Sequence, residues 1–300
     1  MHKTTLKSDA LLLLAAIIWG FAFVAQRVGM DYVGPFTYNG VRFALGAGAL
    51  FLFIRINKNR TVEIPLTGQT VRKNFLLKSG LLAGLFVFAG ASLQQVGLVF
   101  TTAGNAGFIT GLYVIFVPIL GLLFRQRPGW GVWIGAILAV AGMYFLSVTD
   151  AFTISRGDLY VLLGAIFWAS HVLFIGHVSP RIDGLKLAVI QYVVCSGLSM
   201  AVAFGFEEVQ WVSILEAAIP ILYGGLLSVG IAYTLQIIAQ KKAPPAHAAI
   251  ILSMEGVFAV LGGWLILNES VSGRSLLGCG LMLVGMLLAQ IHTNLLKNNK

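Results

Sequence analysis

Charged residues are scarce in this chain of 300 residues, since Asp, Glu, Lys and Arg together make up only 10% of it. A soluble domain carries roughly 25% charged residues, so water would not solvate this chain as a globule. Cysteine is nearly absent as well. Cys195 and Cys279 both lie in apolar runs, which excludes a disulfide framework and a cysteine-based metal site. We interpret both as packing residues.

Apolar and small residues are abundant instead. Hydrophobic residues make up 58% of the chain, the mean hydropathy is +0.89, and 35 residues are glycine. Small residues let helices approach each other closely inside a bilayer, where apolar side chains face lipid. This composition is typical of a helical membrane protein.

Ten apolar segments are long enough to cross a membrane, because a bilayer core of about 30 Å needs about 20 helical residues. We therefore predict an all-α membrane protein with ten transmembrane helices. Pro118 lies inside the fourth segment, and we expect it to kink that helix. The predicted spans lie near residues 9–29, 35–55, 76–99, 103–124, 129–148, 158–178, 185–205, 213–239, 245–267 and 273–293.

Basic residues indicate how the chain is oriented. Sixteen of the 20 Lys and Arg residues fall on the side of the N-terminus, and three fall on the opposite side. Positive charge accumulates on the cytoplasmic side of membrane proteins. We therefore expect cytoplasmic termini and a multi-pass protein of the inner, cytoplasmic membrane. The charge of +9 then faces the bilayer, and we expect no nucleic-acid partner because no basic stretch is interleaved with stacking aromatic residues.

The chain resembles itself at offsets of 142 to 149 residues. The predicted halves are 9–148 and 158–293, with five spans each. Because five is odd, the second half starts on the opposite side of the membrane, which gives two inverted-topology repeats. The matching pairs are Trp19 with Trp168, Gln94 with Gln236, and Tyr113 with Glu255.

The run SMEGVFAVLGGWLILNE, from Ser253 to Glu269, resembles the Glu-Pro…Gly-Trp…Gly-Glu signature of the EamA branch of the drug/metabolite transporter superfamily. The pairs Trp19-Gly20 and Arg42-Phe43 fit this family too. Gly256 departs from it, since the family has Pro there. The resemblance implies a polytopic exporter or exchanger of small metabolites, with the fifth and tenth spans at the periphery of a central cavity.

Four residues at equivalent positions of the halves lie near the middle of the membrane. Each is about ten residues into its span, which places it about 15 Å deep at 1.5 Å per residue. They are Trp19, Trp168, Tyr113 and Glu255. We expect them to converge on one cavity, although core packing of the two Trp residues is an alternative.

Glu255 is the only acidic residue deep inside an apolar span. A charge at the bilayer centre costs about 2.5–3.5 kcal/mol on the gentler insertion scale. A water-filled cavity or the uptake of a proton would offset this cost, and a proton-exchanging carboxyl group would suit a coupling role. The alternative is a structural ion pair with Arg42 in the second span.

Four further polar or aromatic residues inside the spans are candidates for contact with a substrate: Gln94, Gln236, Tyr233 and His171. The amides would bind substrate or hydrogen-bond between helices. Tyr233 and His171 would equally serve as packing or hydrogen-bonding residues of the interior.

Motifs of hydrolases, nucleotide-binding enzymes and metal sites are absent from the sequence. We therefore predict no enzymatic activity, no cofactor and no metal. The expected function is secondary active transport, as an exporter, of small metabolites such as amino acids or amphipathic or cationic solutes, by alternating access and with proton coupling. The first alternative is a flippase for lipid-linked molecules, and the second is an intramembrane enzyme.

Rows of small residues recur in the fifth and tenth spans, for example Gly131 with Gly135 and Gly278 with Gly285. Such rows let helices touch. They predict either a homodimer through these spans or packing within one copy of the chain.

Overall fold

The computed structural model describes residues 2–57, 73–125, 129–147 and 155–274, together with 276–278, 280, 281, 283–285 and 288. These described residues form helices and connecting turns, with no strand among them. The all-α part of the sequence prediction is therefore confirmed. Cys279 and the last residues of the predicted fifth and tenth spans lie outside the described residues.

The described residues of the first half form six helices. They are α1 (His2–Gly29), α2 (Pro35–Ile56), α3 (Lys73–Leu98), α4 (Ala103–Gly111), α5 (Tyr113–Leu123) and α6 (Trp130–Ser147).

The second half begins with α7 (Arg156–Val178), a 3₁₀ turn (Ser179–Arg181) and α8 (Gly184–Phe206). It continues with α9 (Trp211–Glu216), α10 (Ala218–Leu222), a π-helix (Tyr223–Tyr233), α11 (Thr234–Gln240), α12 (Pro245–Leu252) and α13 (Glu255–Leu267).

Eight helical segments of the described chain are long and apolar enough to cross a membrane. They coincide with eight of the ten predicted spans. Shorter apolar helical segments, Trp130–Gly142 and Leu276–Gly285, occupy the fifth and tenth positions. The number ten and the side on which the termini lie stay predictions.

Two of these spans are interrupted at matching positions. In the fourth, α4 ends at Gly111 and α5 begins at Tyr113, and the amide of Leu112 donates to the carbonyl oxygen of Ile109 across 3.1 Å. A bond over three residues tightens a helix and breaks its regular ladder. Pro118 itself lies inside α5, so the interruption occurs six residues before the predicted kink.

The ninth span breaks in the same way between α12 and α13. Here the amide of Met254 donates to Ile251 across 3.2 Å, and α13 begins at Glu255. Each broken span also ends alike, because Arg125 and Asn268 both adopt positive φ angles, of 58° and 55°. The offset of about 142 residues seen in the sequence therefore recurs in the backbone.

The eighth span differs from the regular helix that the sequence predicts, since eleven of its residues form the π-helix. This segment packs directly on α2. A Cβ atom on Gly225 would lie 2.9 Å from the carbonyl oxygen of Arg42, and one on Gly46 would lie 2.8 Å from the carbonyl oxygen of Gly225. Only glycine allows such close backbone contact.

The main helix contacts join one half to the other. Helix α2 packs on α8 and the π-helix, α3 packs on α7 and α8, and α13 packs on α1 and α4. Each half therefore supplies walls for a shared interior, which is where the buried polar residues collect.

Candidate functional site

A cavity lies between the halves and encloses about 450 Å³ of empty space, counting the part that opens to solvent. All nine residues that the sequence singled out line it: Trp19, Arg42, Gln94, Tyr113, Trp168, His171, Tyr233, Gln236 and Glu255. The predicted convergence is thus observed, while the role of each residue stays a prediction.

Tyr233, at the C-terminal end of the π-helix, is the centre of an aromatic cluster in the cavity wall. Its ring lies 4.7 Å from that of Trp19 in an edge-on arrangement, 5.9 Å from that of Trp168 and 6.2 Å from that of His171. Phe43 packs against it from α2 at 6.0 Å. Aromatic pairs at these distances are mutually stabilising, so the π-helix fixes one rigid apolar wall.

Gln94 is fully engaged in hydrogen bonds between helices. Its Oε1 accepts from the indole Nε1 of Trp168 across 3.0 Å and from the Thr110 hydroxyl across 3.4 Å. Its Nε2 donates to Oε1 of Gln26 across 2.9 Å, and Gln26 donates in turn to the carbonyl oxygen of Ala22. Of the two roles open to Gln94, hydrogen bonding between helices is the one observed.

Gln236, its counterpart in the second half, is in a different situation. The side chain is 1% exposed, and its Oε1 is buried without a hydrogen-bond partner in the described part of the chain. Buried acceptors normally have partners, because an unsatisfied one costs about 1–3 kcal/mol. Gln236 is therefore available to a ligand in a way that Gln94 is not.

His171 lies on α7 beside the aromatic cluster. Its Nε2 contacts Oε1 of Gln191 at 3.1 Å, which makes Nε2 the donor, because a carbonyl oxygen only accepts. In the neutral ring Nδ1 is then an acceptor. His171 is therefore an interior histidine with a hydrogen-bond partner, which is one of the two roles considered from the sequence. It also lines the cavity.

Glu255 lies at the cavity with 4% of its surface exposed. It forms no ion pair with another described residue, and its Oε1 is buried without a well-formed hydrogen bond. The Tyr113 hydroxyl is its electrostatic and hydrogen-bonding neighbour, although the pair does not have the geometry of a well-formed bond. As the first residue of α13, Glu255 lies at the positive end of that helix dipole, which favours a negative charge.

Arg42 does not pair with Glu255. No ion pair within 4.0 Å joins the two residues, so the structural salt bridge that the sequence left open is not formed. Instead, Nε of Arg42 donates to Oδ1 of Asn39 across 2.9 Å. The guanidinium lies 5.4 Å from the ring centre of Tyr38 and 5.0 Å from that of Phe43. The cavity therefore contains a basic and an acidic side chain that do not neutralise each other.

Six further residues line the cavity that sequence reasoning did not select: Phe23, Gln26, Thr110, Val172, Ser228 and Leu252. Gln26 carried a usable signal, because it is a polar residue inside an apolar span. Thr110 and Ser228 carried little, since a hydroxyl group is readily satisfied within its own helix. Their place at the cavity follows from the helix interruption and from the π-helix.

Metal-binding geometry is not found in the part of the chain that the structure describes, where no three His, Cys, Asp or Glu residues cluster. Cys195 is buried and unpaired. The described site thus offers aromatic walls, amides and two separate charged groups, which are means of binding a polar solute.

Comparison with known proteins gives the same assignment along the whole chain. The model of the EamA-like transporter family matches residues 6–148 and 155–290. An uncharacterized transporter of Archaeoglobus fulgidus is 31% identical, covering 96% of this chain and 87% of the relative. The uncharacterized transporter YoaV of Bacillus subtilis is 24% identical, with 91% and 92% covered.

One solved crystal structure, described only as that of a protein, has a TM-score of 0.76 at 18% identity. It covers 96% of this chain and 98% of its own, and at this identity it supports the fold alone. The family match extends over both halves of the chain, and the resemblance noted in the sequence is confirmed. The chain belongs to the EamA-like transporter family and is a multi-pass membrane transporter, not an enzyme.

Proposed function

We propose that this transporter is a secondary exporter that moves a small solute by alternating access. Its two halves, 9–148 and 158–293, would be inverted repeats of five spans in the inner membrane, with both termini in the cytoplasm. The matching helix interruptions before Tyr113 and Glu255 support the repeat, because unrelated halves would have no reason to break at equivalent positions. Rocking of inverted repeats about a central site is an established route to alternating access.

The cavity between the halves is the observation that carries this proposal. It is lined by aromatic rings and by buried polar atoms without a hydrogen-bond partner among the described residues, which are Gln236 Oε1 and Glu255 Oε1. Polar groups in this state are stabilised when a ligand binds them. Their position between two helical halves suits a site that opens to each side in turn.

Glu255 would couple transport to protons. An ionised carboxylate is costly in the membrane interior, and a bound proton or a bound solute relieves that cost. If the two compete for the same carboxyl group, uptake of a proton on one side drives release of the solute. The helix end at Glu255 stabilises the ionised form when the cavity is open to water.

The solutes that fit this site are small metabolites such as amino acids and other amphipathic or cationic compounds. The cluster around Tyr233 supplies an apolar wall, and aromatic faces attract cations. A homodimer through the fifth and tenth spans stays part of the proposal. Trp130, at the start of α6, is 78% exposed and would lie near such a seam.

Counterflow in vesicles tests the proposal. The purified chain is reconstituted with a high internal concentration of an unlabelled solute, and entry of the labelled solute is followed across a panel of amino acids, amines and nucleobases. A transporter shows a transient overshoot for at least one member. If no panel member overshoots and the protein instead moves labelled lipid between leaflets, the chain is a flippase and the proposal is wrong.

A further inference from the structure

We propose that Arg42 forms an anion-binding subsite of the cavity, and that the transported solutes carry a carboxylate that this subsite holds. This inference rests on the proposed function and narrows its class of solutes. A purely cationic solute would leave Arg42 without a partner, whereas a zwitterion would bring a group for Arg42 and another for Glu255.

The hydrogen-bond inventory of Arg42 supports the subsite. A guanidinium has five N–H donors, and Arg42 uses one of them, from Nε to Asn39. Its two terminal nitrogens have no acceptor in the described part of the chain. Arg42 lines the cavity, although only 2% of its surface is exposed. A carboxylate matches the fork geometry of free guanidinium N–H groups.

The neighbours of Arg42 hold it in place without neutralising it. The rings of Tyr38 and Phe43 lie against the guanidinium, and no carboxylate of the described residues comes within 4.0 Å. A Cβ atom on Gly224 would lie 3.2 Å from Cδ of Arg42, so the π-helix closes against the side chain. A fixed, unpaired cation is preorganised for an anion, and little order is lost when one binds.

The second charged group of the cavity is separate. Glu255 has Tyr113 and Tyr233 as electrostatic neighbours, and Tyr233 is also a neighbour of Arg42. Tyr233 thus lies within electrostatic range of both charges, and its ring is the centre of the aromatic wall. A solute with a carboxylate, an ammonium group and an apolar side chain would meet Arg42, Glu255 and this wall at the same time.

Equilibrium binding to the purified full chain tests the subsite. The twenty standard amino acids are screened by thermal shift, and each that binds is compared with its primary amide and with the carboxylic acid that lacks its amino group. In the unmodified protein, replacing the carboxylate with an amide should weaken binding at least tenfold. If the amide binds as tightly, or if amines bind while no compound with a carboxylate does, the subsite is excluded.

Variants locate the effect at Arg42. In Arg42→Gln the amide and the parent acid should bind equally, and Arg42→Lys should recover part of the preference because it keeps the charge but not the fork. Arg27→Gln, which removes an exposed arginine paired with Asp31, is the matched control and should keep the full preference. An unchanged preference in Arg42→Gln would overturn the assignment. If Arg42→Gln does not fold, the subsite is tested by the acid–amide preference of Arg42→Lys and by the ligand series on the unmodified protein.

Chloride is the other source of an anion for Arg42. If chloride fills the subsite, solute binding should change with the chloride concentration, and the acid and its amide should bind equally well. That result would contradict a role of Arg42 in solute recognition. Counterflow of amines that is insensitive to Arg42→Gln would likewise overturn this inference while leaving the proposed transport function intact.

Discussion

The indole nitrogen of Trp168 donates a hydrogen bond to Oε1 of Gln94 across 3.0 Å. Trp19, its counterpart in the first half, donates instead to the backbone carbonyl oxygen of Ser228 in the π-helix, across 3.3 Å. Two equivalent positions therefore carry the same side chain with different partners. The framework repeats, but the chemistry of the cavity wall does not.

The glutamine pair gives a prediction about stability. Gln94→Leu would leave the indole N–H of Trp168 and the side-chain oxygen Oε1 of Gln26 without partners, and each unsatisfied group costs about 1–3 kcal/mol. The variant should unfold at a lower temperature in detergent. Gln236→Leu, the matched control, removes an acceptor that has no partner and should not lower the unfolding temperature. An equal fall of the unfolding temperature in both variants would contradict the difference in hydrogen bonding between Gln94 and Gln236.

The contact between α1 and α13 gives a second prediction. A Cβ atom on Gly20 would lie 2.8 Å from the carbonyl oxygen of Glu255 and would also meet Phe258. Gly20→Ala should lower stability by about 1–3 kcal/mol through overpacking, measured by thermal unfolding. Gly48→Ala is the control, since no atom lies within 4 Å of its Cβ position. That variant should be neutral or gain up to about 1 kcal/mol of helix propensity, and a cost equal to that of Gly20→Ala would refute the argument.

Glu207 gives a third prediction, because it caps a helix of the other half. Its carboxylate accepts hydrogen bonds from the amide of Phe36 and from the amide and hydroxyl of Thr37, at 2.7–2.9 Å. These amides begin α2, whose own cap residue, Gly34, has no side chain to offer. Glu207→Ala should cost about 0.5–2 kcal/mol of unfolding free energy. The exposed neighbour Glu208 is the control, and an equal effect of Glu208→Ala would exclude a capping role.

Much of this site could be predicted because a sequence shows which polar residues would be costly to expose to lipid and how deep each residue lies along its span. A charged or amide side chain in the middle of an apolar span has to face the interior, and this argument led to Glu255, Arg42 and Gln236. Depth along a helix follows from the rise per residue, which led to the two Trp residues. All of these residues line one cavity.

The rest depended on backbone detail that side-chain patterns do not specify. Pro118 indicated a kink in the fourth span, but the break lies six residues before it, and the break before Glu255 contains no proline. The π-helix places Tyr233 at the centre of the aromatic cluster. The hydropathy of this segment resembles that of the other apolar spans, so the sequence does not distinguish it from a regular helix. Whether Arg42 and Glu255 would pair depended on side-chain directions that only the fold determines.

A fourth prediction concerns proton coupling. Glu255→Gln keeps the size of the side chain and removes its ability to exchange a proton. The variant should fold and should still exchange solute across vesicles, but a pH gradient should no longer drive net flux. Glu269→Gln, which removes a carboxyl group outside the cavity lining, is the control and should respond to the gradient. Unchanged gradient-driven flux in Glu255→Gln would rule out this carboxyl group as the coupling site.

The central claim is that one cavity between the two halves opens to each side of the membrane in turn. Ser228 lines that cavity and is 2% exposed. The most direct measurement introduces Ser228→Cys into a chain with Cys195→Ala and Cys279→Ala, and labels it in oriented vesicles with an impermeant thiol reagent from either face. We expect labelling from both faces, and slower labelling when a transported solute is present. Labelling from one face only, or from neither, would contradict it.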